Sequence, residues 1–151
     1  ELSQTIMPQF TKWHRMTCNV LVDRTHGMGS ALALIRFFPD PSKVAKLLDW
    51  LKNYALEEIN KMPGIIGSCV VSVDLEADKR LASAFNQTSD PKQNIEWAIL
   101  VEGIDTNITD TTSRNYLLDY LDSIKIHKTQ IICEQYQFMY GNLRSNDNVI
   151  A

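Results

Sequence analysis

The chain has 151 residues, of which 44% are hydrophobic and 22% charged, with a formal net charge of −3. Such a length and composition predict one globular domain with its own core and exclude a disordered chain. The mild negative charge offers no basic footprint for nucleic acid or anionic lipid, and no apolar run approaches the roughly 20 residues that span a bilayer, so neither partner is expected.

The N-terminal Glu1-Leu2-Ser3-Gln4 lacks the basic and apolar regions of a signal peptide. Cys18, Cys69 and Cys133 are odd in number and far apart, with no CxxC among them. That pattern argues against a disulfide framework and a zinc site, and for a reducing, cytoplasmic setting in which the cysteines act as small apolar side chains in strands. A soluble protein without metal or cofactor is the expectation.

In chain order, Gln4 to Trp13 has no decisive period and reads as an arm, Met16 to Val22 as a short strand, and Thr25 to Ser30 as a loose turn. Ala31 to Phe38 is nearly all apolar and bounded by Gly27-Met28-Gly29 and Pro39, which predicts a strand. A helix follows from Pro41 to Met62, capped by Asp40 and started by Pro41. Its apolar stripe is Val44, Leu47, Leu48, Leu51, Ala55, Ile59 and Met62, and Pro63-Gly64 ends it. Ile65 to Val73 is a second strand. The polar stretch Glu76 to Asn94 reads as a long loop with a short helix around Lys79 to Phe85. Glu96 to Gly103 is a third strand, Thr111 to Ile124 a second amphipathic helix, and Gln130 to Tyr140 a fourth strand. Two β-α-β units in this order predict an α+β fold: a ferredoxin-like βαββαβ plait with a four-stranded antiparallel sheet and both helices on one face. The domain division is an arm over residues 1–30, the plait over 31–144 and a tail over 145–151.

The turn Met62-Pro63-Gly64-Ile65, closing an amphipathic helix and opening a strand, resembles the dimeric α+β barrel superfamily, which includes the antibiotic-biosynthesis monooxygenase and EthD-like groups. Glu96 to Gly103 looks like the third strand of that superfamily, and Tyr136 to Tyr140 like the fourth. The resemblance covers about residues 31 to 143. The long Glu76 to Asn94 connection departs from its most compact members, and the arm from Ser3 to Val22 resembles the closing piece of a preceding domain in two-domain EthD-like proteins. What the resemblance implies is a homodimer whose two sheets close into a barrel, covering strands that are apolar on both faces.

Side chains alternate along a strand, so each strand divides into two phases. The more polar phases are Leu32, Leu34, Arg36 and Phe38; Ser68, Val70, Ser72 and Asp74; Glu96, Ala98, Leu100 and Glu102; and Ile132, Glu134, Tyr136, Phe138 and Tyr140. These are assigned to the barrel side and the others to the helices. Arg36, Glu102, Glu134, Tyr136 and Tyr140 are then the candidate ligand-binding residues, with Arg36 to hold an anion, carboxylates to accept protons and tyrosines to donate them. The plainer reading of the same residues is an ion pair between Arg and Glu of neighbouring strands, inside the fold or at a dimer interface. His14, His26 and His127 lack metal spacing, and Gly27-Met28-Gly29 precedes a strand rather than opening a helix, so it is no phosphate cradle. Trp13, Trp50 and Trp97 are scattered and read as core.

The function expected is binding of a small apolar or aromatic molecule in a pocket between the sheet and the helices, either as a binding protein or as a cofactor-independent enzyme. The alternatives are a non-catalytic dimerisation or interaction module, and a ligand sensor domain. No catalytic residue is singled out.

Overall fold

The computed structural model describes residues 16–84, 95–123 and 131–138. Its elements are β1 (Cys18–Asp23), β2 (Ala31–Phe37), a helical run α1 over 41–60, β3 (Ile65–Val73), α2 (Leu75–Ala84), β4 (Trp97–Gly103), a helical run α3 over 106–123, and β5 (Ile132–Gln137). The strands form one sheet in the order β1-β3-β4-β2-β5, with every neighbouring pair antiparallel. Among the described residues the sheet therefore has five strands rather than the four expected. The segment from Met16 to Val22 does not stand apart: Cys18–Asp23 pairs along the free edge of β3, with a bulge between Val20 and Val22. The other four strands run β3-β4-β2-β5, an order compatible with a ferredoxin-like plait.

α1 starts where its cap predicts. The Asp40 carboxylate accepts from the Ser42 backbone N–H at 2.9 Å, and Pro41 occupies the first position. The run passes from a 3₁₀ turn (Pro41–Lys43) through an α segment (Val44–Trp50) and a π turn (Leu51–Ala55) into a second α segment (Leu56–Asn60). In the π turn the N–H of Leu56 donates to the carbonyl of Leu51, five residues back. That wider turn brings Leu56 onto the buried side with Leu47, Leu51, Ala55 and Ile59, although a uniform 3.6-residue period leaves it off the stripe.

α3 begins at Thr106, five residues before the expected Thr111. Its cap is Asp105, which accepts from the Ile108 N–H at 2.8 Å. The first turns escape a search for apolar periodicity because their buried residues are Thr109, Thr112 and Ser113. The Ser113 hydroxyl returns to the Thr109 carbonyl at 2.6 Å, which lets a polar side chain be buried without an unmet donor. Leu117 and Leu121 continue the buried side. α2 realises the short helix foreseen around Lys79, beginning earlier at Leu75, where Asp74 accepts from the N–H groups of Glu76 and Ala77. The remainder of the long connection lies outside the described residues.

One face of the sheet meets α1 and α3. Ala33, Ile35 and Phe37 of β2, Val70 of β3, and Trp97, Ile99 and Val101 of β4 form a single buried cluster with Leu47, Leu51, Ala55, Leu56, Ile59, Leu117 and Leu121. Each fully buried leucine or isoleucine is worth about 1.5–3 kcal/mol of hydrophobic transfer. Trp97 packs toward the helices as expected, tilted against Phe37. Trp50 of α1 lies parallel to Tyr120 of α3, with ring centroids 3.5 Å apart, and this contact registers the two helices. The Pro63-Gly64 turn has Gly64 at φ +85°, a conformation that favours glycine, and its carbonyl accepts from Ile104 N–H at 2.9 Å.

The phase of β3 is opposite to the one expected. Ser68 and Val70 oppose Val101 and Ile99 on the helix side, while Cys69 and Val71 oppose Leu100 and Ala98. Both phases of β3 are apolar enough to be buried, so the serines alone misdirect the assignment. Ser68 is buried because its hydroxyl donates to the Asn60 side-chain carbonyl at 2.7 Å, and Asn60 in turn donates to the Arg24 carbonyl. Among the described residues no helix is long and apolar enough to cross a membrane.

The π turn makes a specific demand. Leu56→Ala should lower stability by about 2–5 kcal/mol, as for other fully buried leucines, read from the urea midpoint at unchanged slope. A loss below about 1 kcal/mol would place Leu56 off the core and argue for a regular helix instead.

Candidate functional site

The face turned away from α1 and α3 is laid out by the strand register. Across β4, β2 and β5 the rows are Glu102, Leu32, Tyr136; then Leu100, Leu34, Glu134; then Ala98, Arg36, Ile132. Four of the expected site residues thus share one face, as predicted: Arg36, Glu102, Glu134 and Tyr136. Tyr140 lies outside the described residues.

The four do not form one cluster. At one end, the Arg36 guanidinium is gripped by Glu96, with both Nε and Nη2 at 2.8 Å from Oε1. Glu134 approaches Nη1 at 3.7 Å from the neighbouring strand. The Arg36 and Glu96 side chains are only 11% and 2% exposed, whereas Glu134 is 38% exposed. The inner pair is thus dry and the outer partner wet, so most of the electrostatic weight rests on Glu96. Glu96 was missed as a site residue, although it occupies the same alternating phase as Ala98, Leu100 and Glu102 and the signal was in the sequence. Tyr136 hydrogen-bonds with Glu134; burial first, then the neighbouring charge and that hydrogen bond, pushes its phenol above the ordinary range and keeps it protonated.

At the other end lies a cavity of about 360 Å³, lined by Met28, Gly29, Ser30, Ala31, Leu32, Glu102, Tyr136, Gln137 and Phe138. It lies toward the sheet face opposite α1 and α3, whereas the sequence expectation places a pocket between sheet and helices, where the described residues form the buried cluster named above. The wall is the turn containing Gly27-Met28-Gly29, whose Gly29 N–H donates to Glu102 Oε2 at 3.0 Å. A Cβ on Gly29 would stand 2.6 Å from the Gly103 carbonyl oxygen, so only glycine lets the turn approach β4 closely enough to make that bond. The Ser30 hydroxyl donates to the Ile104 carbonyl, and the Ser30 carbonyl accepts from Phe138 N–H at 2.7 Å, which ties the turn to β4 on one side and β5 on the other. Sequence reasoning discarded this turn as a phosphate cradle and did not see it as the wall of a cavity.

His26 is exposed beside the turn, and His14 and His127 lie outside the described residues. Among the described residues no group of three His, Cys, Asp or Glu is arranged to hold a metal ion. All three cysteines are free and lie in strands. Burial, followed by the charges of Asp23 and Glu102, pushes the Cys69 thiol up to about 11. No family model, no curated protein and no solved structure matches the chain.

Arg36→Ala takes the guanidinium from the buried Glu96 carboxylate and should cost about 3–5 kcal/mol in urea unfolding, and replacing both partners together (Arg36→Met with Glu96→Leu) should recover most of it. A single substitution within about 0.5 kcal/mol of wild type would show that the pair contributes nothing. For Cys69, a thiol near 11 is ionised in only about one molecule in a thousand at pH 8, so iodoacetamide should modify it well after the exposed Cys133 in peptide mapping. Because its folded value is raised above 9.0, its contribution to stability is present below about pH 9 and is lost as the pH climbs toward 11. Equal labelling rates would contradict its burial.

Proposed function

We propose that the chain is a small-molecule-binding protein of the dimeric α+β barrel type, in which the sheet face opposite α1 and α3 pairs with that of a second copy and the cavity beside Glu102 holds an apolar or aromatic ligand. The observation that carries this reading is the cavity itself. About 360 Å³ lies within the size range of small-molecule sites, and an apolar lining with few convergent polar groups is the usual makeup of such sites. Its supports are the order β3-β4-β2-β5, which suits a ferredoxin-like unit, and the apolar side chains in or beside the sheet that remain in water in one copy. Val20 is 63% exposed, Phe138 58%, and Ile132 and Tyr136 about half. Covering such surface by a symmetry mate is the common remedy for an apolar sheet face. A cytoplasmic setting belongs to the same proposal, supported by the free thiols.

A second reading, a non-catalytic dimerisation module, is favoured by Arg36. This side chain is held by Glu96 and Glu134, which removes it as the expected anchor for an anionic substrate. Native mass spectrometry of freshly purified protein separates the readings. A dimer carrying additional small-molecule mass is the expected result, and Leu34→Glu, which places a charge in the middle of the face, should convert it to monomer. A clean dimer would move the conclusion to the second reading, and a monomer at micromolar concentration would remove both.

A further inference from the structure

We infer that the cavity takes an apolar amine. The inference rests on the ligand-binding reading above and assigns the chemistry of that ligand. Of the described residues lining the cavity, Glu102 alone carries a full charge, and none is Lys or Arg. One oxygen of its carboxylate receives the Gly29 N–H, and a carboxylate has about four acceptor sites, so capacity remains for a donor in the cavity. The other polar side chains are neutral: the Ser30 hydroxyl donates to Ile104, the Tyr136 phenol is engaged with Glu134, and Gln137 is an uncharged amide.

Arg36 does not balance Glu102. It lies four residues along β2 from Leu32, the neighbour of Glu102, a separation of roughly 13 Å at the rise of a strand. That exceeds the screening length of about 8 Å in physiological salt, and Arg36 already has two carboxylates of its own. When a second copy covers the face, Glu102 loses water, and a carboxylate buried without a countercharge is costly. An ammonium group on the ligand supplies both the countercharge and charge-assisted hydrogen bonds, while the rings of Tyr136 and Phe138 and the Met28 and Leu32 side chains receive its apolar body. An anionic ligand of the same size meets Glu102 with like charge.

Three probes of matched shape test the inference by calorimetric titration of the intact protein at one ionic strength: 2-phenylethylamine, 2-phenylethanol and 3-phenylpropanoate. The amine should bind at least about tenfold tighter than the carboxylate. Glu102→Gln keeps an acceptor for the Gly29 N–H and should weaken the amine about tenfold while leaving the alcohol within about twofold. Met28 is 84% exposed and tolerates charge, so Met28→Lys, which sets a cation beside Glu102, should weaken the amine and strengthen the carboxylate. Equal or tighter binding of the carboxylate to the wild-type protein, or an amine affinity unmoved by both substitutions, would overturn the amine assignment and leave the ligand-binding reading standing. Failure of all three probes to bind would overturn that reading and this inference with it.

Discussion

β2 runs between β4 and β5 and has to satisfy two environments at once. Ala31, Ala33, Ile35 and Phe37 go into the core under the helices, while Leu32, Leu34 and Arg36 go to the opposite face. Because the side-chain period is two, a slip of a single residue would drive Arg36 into the helical core and leave Phe37 and Ile35 in water. The antiparallel register with both neighbours is therefore held to one parity, and the observed setting fixes the remaining geometry. It brings Tyr136 and Glu102 to either side of Leu32, sets Glu134 beside Leu34, and leaves Arg36 within reach of Glu96.

Where the sequence pattern and the physical cause coincide, the fold was legible. β2 and the body of α1 were readable because apolar pattern and flanking Pro and Gly agree at both ends. The parts that escaped did so for particular reasons. The first turns of α3 are buried through Thr and Ser whose hydroxyls are satisfied by their own helix, and an apolar period cannot register them. Leu56 is buried only because of a π turn, which no uniform period anticipates. The phase of β3 was reversed because Ser68 has its partner eight residues back, at Asn60, and a tertiary hydrogen bond of this kind is invisible in a linear pattern.

The candidate site was legible in half. Alternation alone placed Arg36, Glu102, Glu134 and Tyr136 on one face, and the register bears that out. Alternation carries no distance along the strand, however, and it was the distance that separated the residues into two groups. Arg36, Glu96 and Glu134 make an ion network at one end, with Tyr136 tied to it through Glu134. Glu102 belongs to a cavity at the other end, walled by a turn whose approach depends on Gly29 lacking a Cβ. A cavity is a property of what the chain leaves empty, and no residue type marks it in advance.

The two phases of the sheet thus differ in what a substitution does. On the helix side, side chains are close-packed, so removing one leaves a void that the surroundings only partly fill, and the cost appears as lost stability. On the other face Leu32, Leu34, Leu100, Glu102 and Tyr136 keep contact with water in a single copy, so they are free to be chosen for what they meet rather than for what they hold together. Arg36 and Glu96 are the exception, being nearly dry yet on that face, and neither can vary alone. An ion pair fixed in this way anchors one end of the face and leaves the chemistry of the other end to Glu102, whose carboxylate accepts the Gly29 backbone N–H. A carboxylate held in place by a main-chain donor is oriented without being neutralised, and orientation with charge in reserve is what recognition of a cation requires.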